Sequence, residues 1–329
     1  MPPLLEAKST KMKQKLYLIL FAVTFVCALL VFSCTKEDFS KCPKDLRVYF
    51  SLTNPQSNPE DVDRMHLYVF NDRGYFQDEY RDDRITHFSP DYYMTCSNLL
   101  SGKYRFIAWA GKDENHYATT PASFVKDKTT FEEALLTLKH PGGLVSTPQH
   151  TLFHSDLPVT VVNEKGQRFY MPLSQITNTI HISTVGLPTD DNAYLFYIVD
   201  NNCTYSFDNS FASHLAHSVN ETFTYTTSCT KAENRQLNAS LQVMRLAANR
   251  RVPRLEIYNK TAGKALYPVG DQSGDLIGLI LRANPQNNFE TTHTYDIILH
   301  FSGDESTGFK VSITINGWEV KEQDNELND

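Results

Sequence analysis

The stretch YRFIAWA, Tyr104 to Ala110, decides how the rest of the chain is read. It is rich in aromatic and β-branched side chains and ends at Gly111, the composition of a strand. The same pattern recurs on both sides of it. RVYFSL (Arg47 to Leu52), MHLYVF (Met65 to Phe70) and PVTVV (Pro158 to Val162) are strands of one half. AYLFYIV (Ala193 to Val199), TFTYTT (Thr222 to Thr227), SLQVMRLA (Ser240 to Ala247), RLEIYN (Arg254 to Asn259), TYDIILHF (Thr294 to Phe301) and FKVSITINGWEV (Phe309 to Val320) are strands of the other. The polar loop TNPQSNPEDVD separates the first two, and Asn71-Asp72-Arg73-Gly74 and Asn163-Glu164-Lys165-Gly166 are turn signals with glycine where positive φ is needed. Two helices interrupt the series. Thr130 and Glu133 form a capping box ahead of Phe131, Ala134, Leu135 and Leu138, and Asp275 to Arg282 ends before Asn284-Pro285. Many short strands at roughly ten-residue spacing predict an all-β protein with short helices, built as two tandem β-sandwich domains over residues 43–163 and 164–329. The breaker-rich HPGGLVSTPQH (His140 to His150) lies just ahead of the boundary. Nothing suggests a solenoid or propeller repeat.

The N-terminus carries a different message. Lys8, Lys11, Lys13 and Lys15 precede an apolar run, Leu16 to Phe32, and the small Ser33 comes before Cys34, the three parts of a secretory signal. Val31-Phe32-Ser33-Cys34 reads as a bacterial lipobox, cut between Ser33 and Cys34, with the Cys34 thiol acylated. Phe32 is bulky for its place, and seventeen apolar residues also reach the lower edge of a membrane span. On the lipobox reading residues 1–33 are signal and 34–42 a lipidated tether. Two or three acyl chains on one cysteine make a stable anchor. Lys36, Glu37 and Asp38, just behind the cysteine, resemble the address that sends lipoproteins of Gram-negative anaerobes to the outer face of the outer membrane; a solubilising linker is the other reading.

Removing residues 1–33 takes away four lysines and one glutamate, leaving a net charge of about −10. Such a surface repels phosphate backbones, so no nucleic-acid partner is expected. Export would place Cys42, Cys96, Cys203 and Cys229 in an oxidising compartment. One bridge per domain, Cys42 with Cys96 and Cys203 with Cys229, is one reading; reduced, buried thiols are the other.

No P-loop, dinucleotide fingerprint, Cys-x-x-Cys or His-Glu-x-x-His occurs. GDQSG (Gly270 to Gly274) holds its serine one place too late for a nucleophile elbow. His214 and His217 lack a third ligand at metal-site spacing. Asp61 with Asp63, and Asp82 with Asp83, are expected in solvated turns. Tyr68, Phe70, Tyr104, Phe106 and Trp109 could form a sugar-stacking platform, although alternation assigns half of them to a core. No catalytic residue, metal or cofactor is therefore expected, and a binding or assembly role is.

Five segments carry a resemblance. LLSGKYRFIAWAG (Leu99 to Gly111), MPLSQITNTIHIS (Met171 to Ser183), LQVMRL (Leu241 to Leu246), HTYDIILHF (His293 to Phe301) and VSITINGWEV (Val311 to Val320), in this order behind CTKEDFSKCP, resemble the FimB/Mfa-type fimbrial anchor lipoproteins. The resemblance implies two transthyretin-like Greek-key sandwiches, fimbrial shaft subunits as partners, and attachment of a type V pilus to the outer membrane. Shaft subunits of such pili lose lipid and first strand to a cut after an arginine. Here the earliest arginine past Cys34 is Arg47, already at the first strand, which favours the anchor role. Binding is expected by β-strand addition. The strand offered or accepted would be the C-terminal one, with Val311, Ile313 and Ile315 on one face and Trp318 and Val320 further along. The same strand could instead close its own sandwich. A surface glycan-binding lipoprotein is the competing function.

Overall fold

The computed structural model describes residues 44–146, 149–162, 164, 166–188, 193–212, 221–232, 236–270, 272–304 and 308–320. Lys44–Asp329 forms one compact unit. The signal, Cys34, the Lys36-Glu37-Asp38 address, Cys42, His214, His217, Asp271 and the acidic tail from Lys321 lie outside the described residues.

The protein is all-β with short helices, as its sequence predicts. The first sheet runs in the order β3 (Phe76–Asp82), β2 (Met65–Asn71), β5 (Gly102–Ala110), β9 (Phe153–Val161), β10 (Arg168–Gln175), β1 (Lys44–Leu52) and β4 (Tyr93–Leu99). β9 and β10 share only two register pairs, Ser174 with His154 and Gln175 with Phe153, so the sheet turns a corner there. Its two parts close on one core. Leu46, Val48 and Phe50 of β1 and Met171 of β10 meet Leu67 and Val69 of β2 and Phe106 of β5.

β2 shows why MHLYVF is an almost unbroken apolar run. Met65, Leu67 and Val69 enter this core, while Tyr68 and Phe70 enter a second one from the opposite face. A strand covered on both sides has no polar face to show.

The second core lies between two further sheets. One runs β15 (Thr230–Ala232), β16 (Gln236–Met244), β11 (Thr177–Val185), β19 (Thr294–Asp304), β20 (Gly308–Ile315) and β21 (Trp318–Glu319). The other runs β18 (Lys264–Tyr267), β17 (Arg254–Asn259), β12 (Tyr194–Asp200), β14 (Phe223–Ser228) and β8 (Leu144–Val145). Ile180, Leu241 and Ile297 face Phe196, Tyr225 and Ile257 in it. A small sheet, β13 (Thr204–Ser206), β7 (Leu135–Leu138) and β6 (Tyr117–Thr120), completes the fold. The chain passes from the first sheet to the second at Ile176, between β10 and β11. β7 and β8 pair with strands from the later half of the sequence.

One expected helix forms and one does not. Asp275 caps α1 (Leu276–Ala283), its Oδ1 accepting from the Gly278 amide at 2.8 Å, and Asn284 caps the other end. At Thr130 the capping box also forms: the Thr130 amide donates to Glu133 Oε2 at 3.0 Å and the Glu133 amide to Thr130 Oγ1 at 3.3 Å. The turn ends there. Leu135–Leu138 is instead β7, hydrogen-bonded to β6 on one side and β13 on the other. Two flanking ladders outweigh a local preference worth tenths of a kcal/mol per residue.

Cys203 and Cys229 are not placed to bridge one another. The β12–β14 register sets Asp200 opposite Phe223 and Leu195 opposite Ser228, so the two cysteines lie beyond opposite ends of the pair. Five strand steps, about 17 Å, separate those ends, against the roughly 6 Å that a disulfide spans. Cys96, opposite Leu46, is a buried free thiol. Burial, with Asp78 nearby, pushes its pKa far above the usual thiol range.

Candidate functional site

The C-terminal segment is a hairpin. Asn316 and Gly317 (φ 48° and 81°) make a tight turn of the kind an Asn-Gly pair favours. This corrects the expectation of one strand running from Val311 to Val320. Val311, Ile313 and Ile315 are buried, at 6 %, 5 % and 2 % exposure, in the protein's own core. Trp318 stands 62 % exposed beyond the turn, and Val320 packs partly against the core. The apolar face of β20 is thus already used.

Among the described residues, the outer edge of β20 is half covered. β19 pairs with it from Gly308 to Ile315, whereas β21 reaches Thr314 and Ile315, and the Val320 amide donates to the Ile313 carbonyl at 2.8 Å. Further along the edge, Gln272 Nε2 donates to the Val311 carbonyl at 3.3 Å. A cleft of about 490 Å³ opens there, between Val269, Gly270 and Gln272 on one side and Ser302, Phe309 and Lys310 on the other. A side chain on a strand carbonyl blunts an edge without closing it.

β1 is held on both sides. It runs parallel to β10 from Arg47 to Leu52 and antiparallel to β4 from Lys44 to Tyr49, and Leu46, Val48 and Phe50 are fully buried. Arg47 is exposed only in its side chain. Its amide donates to the Gln167 carbonyl at 2.9 Å.

The aromatic platform expected from Tyr68, Phe70, Tyr104, Phe106 and Trp109 is absent. Tyr68, Phe70, Phe106 and Trp109 are buried, and the Tyr104 hydroxyl donates to the Leu100 carbonyl at 3.0 Å. Tyr68 and Trp109 instead pack around Phe207. A different set faces outward. Tyr49 is the register partner of Tyr93 on β4 and of Tyr170 on β10, and its ring centre lies 5.3 Å from each of theirs. The three make a row across three strands. The only sequence signal for it is the alternation of RVYFSL, which puts Arg47 and Tyr49 on the face opposite Val48 and Phe50.

The paired acids divide: Asp61, Asp63 and Asp82 are half-buried in polar networks, while Asp83 lies in an exposed bend, as expected. Asp63 pairs with Arg64 at 2.8 Å, which keeps its pKa below the usual carboxylate value, and lies 3.6 Å from His150. Asp61 accepts from the Thr151 hydroxyl, and Asp82 from that of Tyr92. Asp83 and Glu79 flank the buried His66 at 3.3 and 3.2 Å. Among the described residues no group of three or more His, Cys, Asp or Glu is placed to hold a metal, and no helix is long and apolar enough to cross a membrane.

What this geometry offers, among the described residues, is surface for binding: a half-open strand edge and an aromatic row on a β-sandwich. The sequence matches the family model of fimbrillin-A associated anchor proteins Mfa1 and Mfa2 over residues 39–324, and the chain belongs to that family. The family is a non-enzymatic, structural type, and membership gives the protein a role associated with fimbriae. The fold is similar to that of the fimbrial anchor protein Mfa2 from Porphyromonas gingivalis, at 22 % identity and a TM-score of 0.68, covering 85 % of this chain and 99 % of that one. It is also similar to two Bacteroides thetaiotaomicron proteins. One, assigned provisionally as polysaccharide-binding, has 21 % identity and a TM-score of 0.65, with 86 % and 99 % covered. The other, assigned provisionally as an adhesin, has 20 % identity and a TM-score of 0.64, with 85 % and 98 % covered. No curated protein matches the sequence.

Proposed function

We propose that the protein is an outer-membrane lipoprotein, tethered through acylated Cys34 and exposed on the cell surface, that holds the base of a fimbrial fibre. The observation that carries this reading is the double-sided pairing of β1. A shaft subunit must shed its first strand to open a groove. Here Arg47 sits inside a strand bonded to both neighbours, with three fully buried side chains around it. A strand so fixed keeps the body joined to whatever precedes it, lipid included.

The shaft subunit would attach by β-strand addition at the C-terminal hairpin. Backbone hydrogen bonds supply the affinity of such a joint and alternate side-chain pockets its register. An incoming strand would displace Gln272 from the Val311 carbonyl, continue the line of β21, and place side chains in the neighbouring cleft. Trp318 stands at the turn end of β21, opposite Ile315, so the joint would begin at Val320 and run past Val311 toward Lys310. The test is fibre capture by Gln272→Ala and Lys310→Glu variants, with melting temperature as the control for folding. The proposal expects Lys310→Glu, on the exposed cleft, to lose captured shaft subunit at unchanged melting temperature, and Gln272→Ala, which frees the Val311 carbonyl, to capture at least as much as wild type. Equal capture by the wild type and by a variant lacking residues 316–320 would remove the hairpin from the joint.

A further inference from the structure

The row Tyr93, Tyr49 and Tyr170 is unexplained by fibre anchoring. It lies on the outer face of β4, β1 and β10, away from the C-terminal hairpin in sequence and sheet. Tyr170 is 65 % exposed and Tyr93 40 %, although both belong to well-paired strands. Two guanidinium groups join them. Arg47 Cζ lies 4.5 Å from the centre of the Tyr93 ring, and Arg168 Cζ 5.9 Å from that of Tyr49. Arg47 and Arg168 are themselves register partners, on the same face of the sheet as the Tyr49 and Tyr170 pair and next to it along the strands. The other outward positions beside the row are Ser51, Thr95 and Pro172.

We propose that this face binds an acidic polysaccharide, and that its occupant is the sugar coat of the bacterium that carries the protein. Three features choose the ligand. Tyrosine rings present an apolar face with a polar edge, which suits the C–H face and hydroxyl rim of a sugar ring. Arginines stacked on aromatic rings keep N–H groups for a carboxylate, and Arg47 has further ones beside the one it shares with Tyr49. The neighbouring Ser51 and Thr95 hydroxyls suit a hydroxylated chain, and Pro172 adds a small apolar surface of the kind a sugar C–H face also meets. Aromatic rings with arginines can also bind single-stranded nucleic acid, but that mode needs a basic groove along the backbone. Two arginines in a chain of net charge −7, or about −10 without residues 1–33, fit a sparsely charged polymer better than a polyphosphate.

The choice of the cell's own coat rests on the tether proposed above. Lys44, where β1 begins, is ten residues past Cys34, at most about 35 Å of extended chain. A face starting there stands within the coat rather than beyond it. Binding the coat would orient the body on the membrane and share load with the lipid.

Affinity electrophoresis of the full chain in detergent tests the proposal without reference to fibres, so its failure is separable from failure of the anchor reading. The gels contain coat polysaccharide purified from the parent bacterium, hyaluronan as a host-type polyuronate, or neutral dextran. The expected result is retardation by the coat polysaccharide, weakened roughly three- to tenfold in Tyr170→Ala and retained in Tyr170→Phe. The double variant Arg47→Gln/Arg168→Gln should lose the salt dependence of binding. Tyr170 is exposed enough that its removal should leave the melting temperature unchanged, and Tyr93→Ala provides a second reading of the same row. No retardation by the coat polysaccharide, retardation by hyaluronan alone, or binding unchanged in Tyr170→Ala and the double arginine variant would each overturn it.

Discussion

Cleavage after Arg47 should be blocked in the folded protein, and the size of the block comes from β1. A protease needs extended, unpaired chain on both sides of the bond it cuts, so β1 must leave the sheet. Leu46, Val48 and Phe50 are all fully buried, and exposing each costs about 1.5–3 kcal/mol, together roughly 5–9 kcal/mol. Breaking ladder bonds to β10 and β4 adds about 0.5–1.5 kcal/mol for each. The sum approaches the roughly 5–15 kcal/mol that holds a whole domain folded, so opening β1 alone is nearly as costly as unfolding. Even the lower figure implies an open fraction of about 10⁻⁴ and cleavage slower than in an exposed loop by about that factor. Limited digestion with trypsin or an arginine-specific protease, followed by intact-mass analysis, measures it directly. Arg84 and Arg251, both outside strands, should be cut first. Val48→Asp should make Arg47 labile. A native protein clipped after Arg47 while Arg84 stays whole would refute the reasoning and reopen the shaft-subunit reading.

Three buried positions give further expected outcomes. Burial, opposed by a hydrogen bond with the Phe207 carbonyl, lowers the pKa of His154 to about 4, so its contribution is complete above pH 6.5 and is lost as pH falls through 4. About 3 kcal/mol should go over that window, and His154→Gln should flatten that part of a pH–melting curve. Asp200 has the opposite sign: burial raises its pKa to about 6, so its contribution is present below pH 3.8 and lost as pH rises through 6. Asp200→Asn, which keeps an acceptor for the Asn201 and Asn202 amides, should melt no lower than wild type near neutral pH. Gly111 has φ +76°, and an added Cβ would lie 2.0 Å from the Thr151 carbonyl oxygen, so Gly111→Ala should lower stability by about 2 kcal/mol or more in urea titration.

The strands are readable because their information is local. RVYFSL alternates visibly, and Leu46, Val48 and Phe50 fall inside as the period of two demands. Asp275 and Asn284-Pro285 bound α1 with side chains that act within a few residues of themselves. The failures share a cause. The Thr130 capping box is real, but the segment after it takes its form from β6 and β13, which arrive from other parts of the chain. Asn316-Gly317 is a strong hairpin signal that the alternation of its neighbours conceals. The tyrosine row needs the register of three strands, since Tyr49, Tyr93 and Tyr170 have nothing in common in sequence. Likewise, a shared domain suggests pairing Cys203 with Cys229, whereas strand direction places them far apart.

The central claim, that a covalent lipid at position 34 fastens a fimbrial fibre to the cell, is tested most directly by replacing Cys34 with alanine in the parent bacterium and locating both protein and fibres. The account predicts that the variant leaves the membrane fraction and that fibres are found in the medium, with the wild-type N-terminal peptide carrying fatty acid at Cys34. Fibres that stay on cells of normal appearance, around a variant without any acyl chain, would contradict it.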